Sequence, residues 1–473
     1  MSFYSTRPGL SRFRLVLASF VQHPNLHFAS VLAEDTITKA FADAEANFAQ
    51  DEDDVYTPAL TLWAFLSQVL YLGPMRSCAA AVGRVVVLMI ALGKNPCSDN
   101  TGAYCRARTK LPVAVLARLT TDVANGCEHD LPQGWLWKGR HVHLVDGTTV
   151  SMPDTPNNQQ AFPQHCAQVQ GVGFPIARLV VLLSLATAMV KAMAIGPYQG
   201  KETGETALLR ELLAHFASGD ILLADRYYCS YFMIAMLQEL GIDVVTRMHQ
   251  QRDYNFRRGR HLGSGDHIVR WFKPQRPKWM DQETYDRLPA SLEVREVHVQ
   301  VKEPGFRTES LVVVTTLLDA DAYAKDDIAE LYHRRWLVEL DIRTLKITLG
   351  MDVLRCQSPD MVRREIWTCL LAYNLIRQTM LEAALRTERS PRELSFTAAL
   401  QKIAAAWAVL ATAEDGLLLS LIDTLLTDLT THRVGHRPNR VEPRKVKRRP
   451  KSQELLTEPR EQARAKLYQG NKA

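Results

Sequence analysis

The amino-acid sequence predicts an α/β fold in which a mixed sheet with flanking helices is interrupted by a β-rich insertion. Three observations predict it: helical spacing of apolar residues up to about residue 135, strand-like alternation after Arg140, and a polar, Arg-rich β pattern from 249 to 321. The chain also begins with an all-α region and ends in a basic tail. With 473 residues it is too long for one hydrophobic core, so several domains are expected.

Residues 1–135 are expected to form a helical DNA-binding domain. The apolar-periodic runs are "LAEDTITKAFADAEANF", "TPALTLWAFLSQVLYL", "CAAAVGRVVVLMIAL" and "LPVAVLARLTTDVANG", separated by Gly, Pro and Asn. Before the last run, "SDNTGAYCRARTKLP" places Arg106, Arg108 and Lys110 beside a turn, as in small helical DNA-binding modules. A solvated linker is equally consistent with this segment.

Residues 136–248 and 322–400 are expected to form the two parts of the mixed-sheet domain. The order in the first part is three strands, a helix, a strand, a helix and a strand, typical of a sheet covered by helices. The strand-like runs "HIVRWFK", "LEVREVHVQVK" and "SLVVVTTLL" mark residues 249–321 as an inserted β domain. Residues 401–473 are expected to form a C-terminal helical region and the basic tail.

The segment "YHRRWLVELDIRTLK" is predicted to lie within one long helix, because the run from "AKDD" to Gly350 lacks Gly and Pro. At roughly 100° per residue, Tyr332, Arg335, Glu339 and Lys346 fall within about 60° of one another. Such a stripe is consistent with a solvated face of i,i+4 ion pairs. It is also long enough to follow several phosphates of a nucleic acid, in which case Glu339 is explained as a metal ligand.

Two aspartates end or interrupt apolar strands of the predicted sheet, Asp146 in "HLVDGTT" and Asp225 in "ILLADRYY". Either aspartate alone is more typical of a structural residue. If the first and fourth strands are neighbours, however, both side chains meet at one edge of the sheet. The predicted long helix can then place Glu339 at the same edge. Three such carboxylates would repel one another unless neutralised, and an all-oxygen site suits Mg²⁺ or Mn²⁺.

Charge and composition exclude several other classes of protein. The net charge is +6, and nearly all of the excess lies in "HRVGHRPNRVEPRKVKRRPK" near the C-terminus, a segment consistent with DNA contact or with a solvated tail. The eight Cys residues form no C-x-x-C motif and no secretory pattern precedes them. The run "LVVLLSLATAMV" is too short to span a bilayer. A cytoplasmic protein without membrane contact is expected.

These residues together resemble a known family, the DDE transposases of bacterial insertion sequences, in the insertion-sequence-four group with the signature Y-x2-R-x3-E-x6-K. Tyr332, Arg335, Glu339 and Lys346 match that spacing at every step. The resemblance extends to "VDGTTVSMPD", "LLADRYY", "LKITLGMDVLR" and "LAYNLIR". It implies that the mixed-sheet domain is an RNase H-like catalytic domain.

The resemblance also implies the site and the reaction. Asp146, Asp225 and Glu339 would be the catalytic triad and would bind two Mg²⁺ or Mn²⁺ ions. Such an enzyme binds terminal inverted repeats and then cleaves DNA and joins it to a target. Its partners would be double-stranded DNA, at the element ends and the target, and a second copy in a homodimer on DNA.

The same resemblance implies DNA binding by Tyr332, Arg335 and Lys346, and Arg343 joins them on the predicted stripe. Two departures from the family pattern concern aromatic residues: Tyr227 stands where many relatives have Gly, and the strand before the signature helix lacks the aromatic on which some members stack a flipped base. Trp271 and Trp279 are possible substitutes. A nuclease of the junction-resolvase type and a non-catalytic DNA-binding regulator derived from a transposase remain alternatives.

Overall fold

The computed structural model describes residues 10–46, 48–49, 54–300, 310–387, 389–435 and 455–470. The first six helices precede the sheet: α1 (Arg14–Ser19), α2 (Glu34–Asp43), α3 (Pro58–Val69), α4 (Cys78–Ala91), α5 (Thr101–Thr109) and α6 (Val113–His129). The central part contains β1 (Val142–Ser151), α7 (Pro156–Ala161), β2 (Ile176–Ser184), β3 (Val190–Pro197), α8 (Glu205–Glu211), β4 (Ile221–Ala224), α9 (Tyr231–Glu239) and β5 (Asp243–Arg247).

The next elements cover the predicted insertion and the helices after it. They are β6 (Arg260–Gly263), β7 (Asp266–Phe272), α10 (Gln282–Arg287), β8 (Ser291–Gln300), β9 (Ser310–Thr315), α11 (Lys325–His333), α12 (Leu337–Arg343), α13 (Pro359–Leu385), α14 (Phe396–Thr412), α15 (Asp415–Thr431) and α16 (Arg460–Gly470). The predicted mixed α/β architecture is confirmed. Within the described residues, no helix is long and apolar enough to cross a membrane.

The described strands form one nine-stranded sheet in the order β3-β2-β1-β4-β5-β9-β8-β7-β6. β1, β4 and β5 run parallel to one another, and the remaining neighbours pair antiparallel. The first and fourth strands are therefore neighbours, which is the condition under which Asp146 and Asp225 meet. One helix is missing from the predicted order: α7 lies between β1 and β2, and its sequence "PNNQQA" is polar and lacks the apolar spacing by which helices are recognised.

The strands of the predicted insertion continue the sheet. β9 pairs with β5, and β8, β7 and β6 follow outward from it, with the short helix α10 between β7 and β8. Sequence alternation reports which strands have a polar face but not which neighbour each strand pairs with. The domain boundaries stay predictions.

Both faces of the central part of the sheet are buried. Alternate residues of β4 point to opposite sides, with Ile221 and Leu223 in one hydrophobic core and Leu222 and Ala224 in the other. α6 and α13 pack on the first side, and α8 and α9 pack on the second. The helices therefore hold the strand ends in place from two sides, as expected for parallel strands.

The long helix α13 joins the helical regions at both ends of the chain. It packs against α3, α6, α14 and α15, so the N-terminal and C-terminal helices share one core. Asn374, in "LAYNLIR", accepts a hydrogen bond from the Val190 amide at 2.9 Å and donates to the carbonyls of Val190 and Thr120 at 2.8 Å. This part of the family resemblance thus corresponds to a residue that ties α13 to the edge of the sheet.

The segment predicted as one long helix is helical from Lys325 to Thr348 but changes its winding twice. A 3₁₀ turn (Arg334–Trp336) separates α11 from α12, and a π-helical turn (Thr344–Thr348) follows α12. The segment is followed by Gly350 at φ +65°, where an added Cβ would lie 2.5 Å from the Leu72 side chain. The changes in winding shift the stripe of polar residues away from the spacing of an ideal α-helix.

One carboxylate of this segment, Asp341, is structural. It is buried and accepts hydrogen bonds from Arg392 at 3.0 Å and from Arg377 at 3.3 Å. Asp341→Ala would leave two guanidinium groups without their carboxylate, so we expect it to lower the free energy of unfolding by about 3–5 kcal/mol. Chemical denaturation measures this loss; an unchanged midpoint would show that the two arginines find other partners.

Candidate active site

Asp146 and Asp225 lie at matching positions on neighbouring parallel strands. The register pairs Leu144 of β1 with Leu223 of β4, and each aspartate follows two residues later. Neighbouring strands are about 5 Å apart, so the two aspartates lie side by side at the edge where β4 ends. Asp225 directly follows β4, and Asp146 lies within β1, two residues past its last pair with β4. Open α/β sheets commonly bind ligands at this edge.

The local backbone orients both side chains in the same way. The Gly147 amide donates to the Asp146 carboxylate at 2.8 Å, and the Arg226 amide donates to the Asp225 carboxylate at 2.7 Å. Asp225 thereby caps the 3₁₀ turn Arg226–Tyr228 that follows β4. One oxygen of each carboxylate is held by the protein, which leaves the other free to accept a further donor or a cation.

Glu339 reaches the same region from α12, which packs against β1. Arg335 donates to its carboxylate at 3.0 Å, and the side chains of Arg335 and Glu339 are 17% and 37% exposed. Burial alone would lower the pKa of Arg335, but Tyr332, Glu339 and Asp225 outweigh it and the pKa is raised. Arg335 is thus electrostatically coupled to carboxylates on both the helix and the sheet.

Crowding of negative charge is evident at Asp146. The pKa of Asp146 is raised to about 6, chiefly by burial and also by repulsion from Glu205 and Glu339, while the Gly147 amide and Arg335 oppose the rise. Among the described residues, no three His, Cys, Asp or Glu side chains are close enough to hold one metal ion as they stand. With Glu339 held by Arg335, Asp146 and Asp225 remain as an adjacent pair of oxygen donors.

The other residues of the signature differ in their exposure. Tyr332 is buried, and burial with the nearby Asp225 raises its pKa, although Arg335 and Arg247 oppose the rise. Lys346 is partly exposed and forms an ion pair with Asp352 at 2.9 Å. Arg343 is exposed at the end of α12. Tyr332 and Arg335 thus lie near Asp225, whereas Lys346 reaches the loop that continues alongside β1 through Val353.

Sequence reasoning missed one acidic residue of this region, Glu205, the first residue of α8. Its carboxylate lies against Gly147, so that an added Cβ at 147 would be 2.3 Å from Cδ of Glu205. Tyr228, which ends the turn after Asp225, donates to it at 3.5 Å. The signal in the sequence is weak, because an acidic residue in the first turn of a helix is common for reasons of capping.

The aromatic residues considered for base stacking are differently placed. Trp271 is buried, donates to Glu296 at 3.1 Å, and has the Arg252 guanidinium 3.7 Å from its ring centroid. Trp279 is 37% exposed with Arg210 over its ring at 3.9 Å. Tyr227, next but one after Asp225, is 65% exposed. An arginine thus covers one side of each tryptophan ring, and Trp271 is in addition buried.

The chain is similar to known transposases. The chain is 27% identical over 355 residues to the transposase InsG of insertion sequence element IS4 from Escherichia coli K12, covering 74% of this chain and 76% of that protein. It is 25% identical over 142 residues to the putative transposase InsZ from the same organism, covering 29% and 46%. The structure of the piggyBac transposase synaptic complex with hairpin DNA aligns with a TM-score of 0.42 and 9% identity, covering 92% and 89%.

The family described as "Transposase DDE domain" matches residues 137–375, which is half of the chain. This match runs from just before β1 into α13 and so includes Asp146, Asp225 and Glu339. Members of this family use divalent metal ions and act on DNA. The chain therefore belongs to the DDE transposases and is a DNA transposase of the IS4 group.

Proposed function

We propose that this transposase cleaves DNA at terminal inverted repeats and joins the freed ends to a target, with Asp146, Asp225 and Glu339 as its catalytic triad. The observation that supports the proposal is that Asp146 and Asp225 lie at matching register positions on the neighbouring parallel strands β1 and β4, and that Glu339 on α12 is close enough to raise the pKa of Asp146. Domains of this kind are expected to be RNase H-like, formed here by residues 136–248 and 322–400.

The donor set fits a hard divalent cation. Asp146 and Asp225 offer adjacent oxygen donors, and Glu339 would complete the site on release from Arg335. We infer two ions, Mg²⁺ or Mn²⁺, which when bound would stabilise the phosphoryl oxygens and lower the pKa of the attacking water. Hydrolysis then frees a 3′-OH on the DNA, and that 3′-OH attacks the target strand.

The basic residues around the triad would position DNA. When DNA binds, Arg335 releases Glu339 and donates to a phosphate oxygen instead. The same guanidinium therefore pairs with Glu339 in the DNA-free protein and with phosphate in the complex. Lys346 and Arg343 contact phosphates further along the strand. Tyr332 is buried and acts by holding Arg335 rather than by reaching DNA itself.

The partners follow from the reaction. Two element ends must be brought together, so we infer a homodimer on double-stranded DNA, with the N-terminal helices of residues 1–135 contributing to end binding. In that region Arg106 and Lys110 are exposed and line a pocket of about 560 Å³, whereas Arg108 packs over the rings of Phe65 and Tyr104. Because its substrate is chromosomal and element DNA, we place the protein in the cytoplasm.

The direct test supplies a plasmid in which the inverted repeats that flank the coding gene bracket a marker. With Mg²⁺ we expect cleavage at the repeat ends, followed by joining to a second plasmid, and no product when the metal is chelated. A four-way junction serves as the competing substrate. Cleavage of the junction with no cleavage of the repeats would replace the proposal with a resolvase-type nuclease.

The basic segment Arg433–Lys451 lies almost wholly outside the described residues, and its role is a prediction from the sequence. Its nine Lys and Arg residues far outnumber its one acidic residue, Glu442, so we expect non-specific phosphate binding. Replacing its Lys and Arg with Gln, at constant length, should flatten the dependence of log K on log salt by about 0.9 for each phosphate that is no longer neutralised. An unchanged slope in a binding titration would show that the segment does not touch DNA.

A further inference from the structure

We propose that Glu205 is a fourth acidic residue of the active centre, a positioning residue that strengthens cation binding at Asp146. This inference rests on the proposed function of Asp146 as a metal ligand. It concerns a residue outside the triad and outside the signature of the long helix. Its basis is the packing of α8 against the strand ends.

Helix packing and a hydrogen bond from Tyr228 set the position of the Glu205 carboxylate. α8 packs on β2, β3 and the turn Arg226–Tyr228, which brings its first residue to the edge where β1 and β4 carry Asp146 and Asp225. Tyr228, whose own side chain is buried, donates to Glu205 at 3.5 Å. Glu205 is thus directed toward the acidic site.

Gly147 makes room for this arrangement. An added Cβ would lie 2.3 Å from Cδ and 2.4 Å from Oε1 of Glu205, so the glutamate carboxylate occupies the space that any other residue at 147 would fill. The φ angle of Gly147 is not positive, so its backbone is accessible to alanine. The glycine in "VDGTT" therefore leaves the space that the Glu205 carboxylate occupies, one residue along β1 from Asp146, and Glu205 is close enough to raise the pKa of Asp146 by repulsion.

The effect of Glu205 on Asp146 would be unfavourable without a divalent cation and favourable with one. In the cation-free protein the two carboxylates repel, whereas a cation at Asp146 is attracted by both. Glu205 therefore adds to cation affinity even without direct coordination. The structural alternative is that Glu205 only complements the N-terminus of α8, an effect of about 0.3–1 kcal/mol on stability with no influence on metal binding.

The test is a calorimetric titration of the DNA-free, full-length protein with Mn²⁺. We expect Glu205→Gln to weaken Mn²⁺ binding by about ten-fold or more, since it removes one negative charge at short range. In single-turnover cleavage the half-saturating Mn²⁺ concentration should rise by a similar factor, and the rate at saturating Mn²⁺ should recover toward the wild-type value. Glu202→Gln is the matched control, because Glu202 precedes the same helix but is exposed and pairs with Arg210 at 2.6 Å.

Gly147→Ala provides a second, independent variant. Its new Cβ should displace the Glu205 carboxylate and weaken Mn²⁺ binding by a similar factor, and the Gly147→Ala/Glu205→Gln double variant should bind Mn²⁺ little more weakly than either single one. Unchanged Mn²⁺ affinity in Glu205→Gln, beside complete loss in Asp146→Asn, would overturn the role of Glu205 alone. Unchanged affinity in Asp146→Asn would instead overturn the metal site of the proposed function.

Discussion

Replacing Asp146, Asp225 or Glu339 with Ala is expected to abolish DNA cleavage while leaving binding to an element end largely intact. Each side chain would supply an oxygen ligand that a methyl group cannot replace, and catalysis of phosphoryl transfer depends on positioning and charge stabilisation. The measurements are single-turnover cleavage of an end-containing duplex and a binding titration on the same duplex. Loss of binding in step with cleavage would indicate a structural role for the residue concerned.

The neighbouring Asp341 supplies a control for the triad variants. It lies on α12 two residues from Glu339 but is buried against Arg377 and Arg392, so its replacement should lower stability. Replacing Glu339 should instead lower activity without a comparable change in the melting temperature. The two carboxylates on one helix thus separate loss of catalysis from loss of folding.

Stability as a function of pH gives a further readout for Asp146. Its pKa in the folded protein is raised to about 6 from an ordinary value of 3.8, so the folded state binds the proton more tightly than the unfolded chain. The stability that Asp146 contributes is therefore present below about pH 4 and is lost as the pH rises toward 6. Asp146→Asn should remove this loss, so the metal-free variant should melt no lower than the wild type at about pH 7.5.

The second large effect is expected at the signature cations. Arg335→Ala and Lys346→Ala should each lower the single-turnover rate of cleavage or joining by one or more powers of ten, because both would stabilise charge on phosphates near the triad. In Lys346→Ala the free energy of unfolding should change by about 1 kcal/mol or less, the usual value of an ion pair that is open to solvent. Normal cleavage with a large fall in melting temperature would mean that the stripe only holds the helix in place.

The structure offers a matched control for each of these cations. Arg334 adjoins Arg335 but pairs with the exposed Glu330, so Arg334→Ala should leave the cleavage rate near that of the wild type. Asp352→Ala breaks the ion pair of Lys346 without removing its positive charge. If Lys346 acts on DNA, cleavage survives in Asp352→Ala and falls in Lys346→Ala; equal losses in both would assign the effect to the ion pair.

Much of the fold is readable from local patterns. Alternation in "HVHLVDG" and the apolar run "DILLAD" predict β1 and β4, and both aspartates follow directly from their positions in these strands. The i,i+3 and i,i+4 spacing predicts the helical segment that carries Arg335 and Glu339, and the structure places these two in contact. These features are local, because strand and helix periodicities are set by backbone geometry over a few residues.

Contacts between distant segments required the tertiary structure. The sequence by itself determined the α/β class, the strand that contains Asp146, the strand that precedes Asp225, and the helical segment that carries Glu339. Only the tertiary structure decided that β6–β9 continue one sheet, that Tyr332 is buried, and that Glu205 lies against Gly147. The physical reason is that strand pairing and side-chain packing join residues far apart in the chain. The periodicity within one segment does not specify which other segment it will pair with.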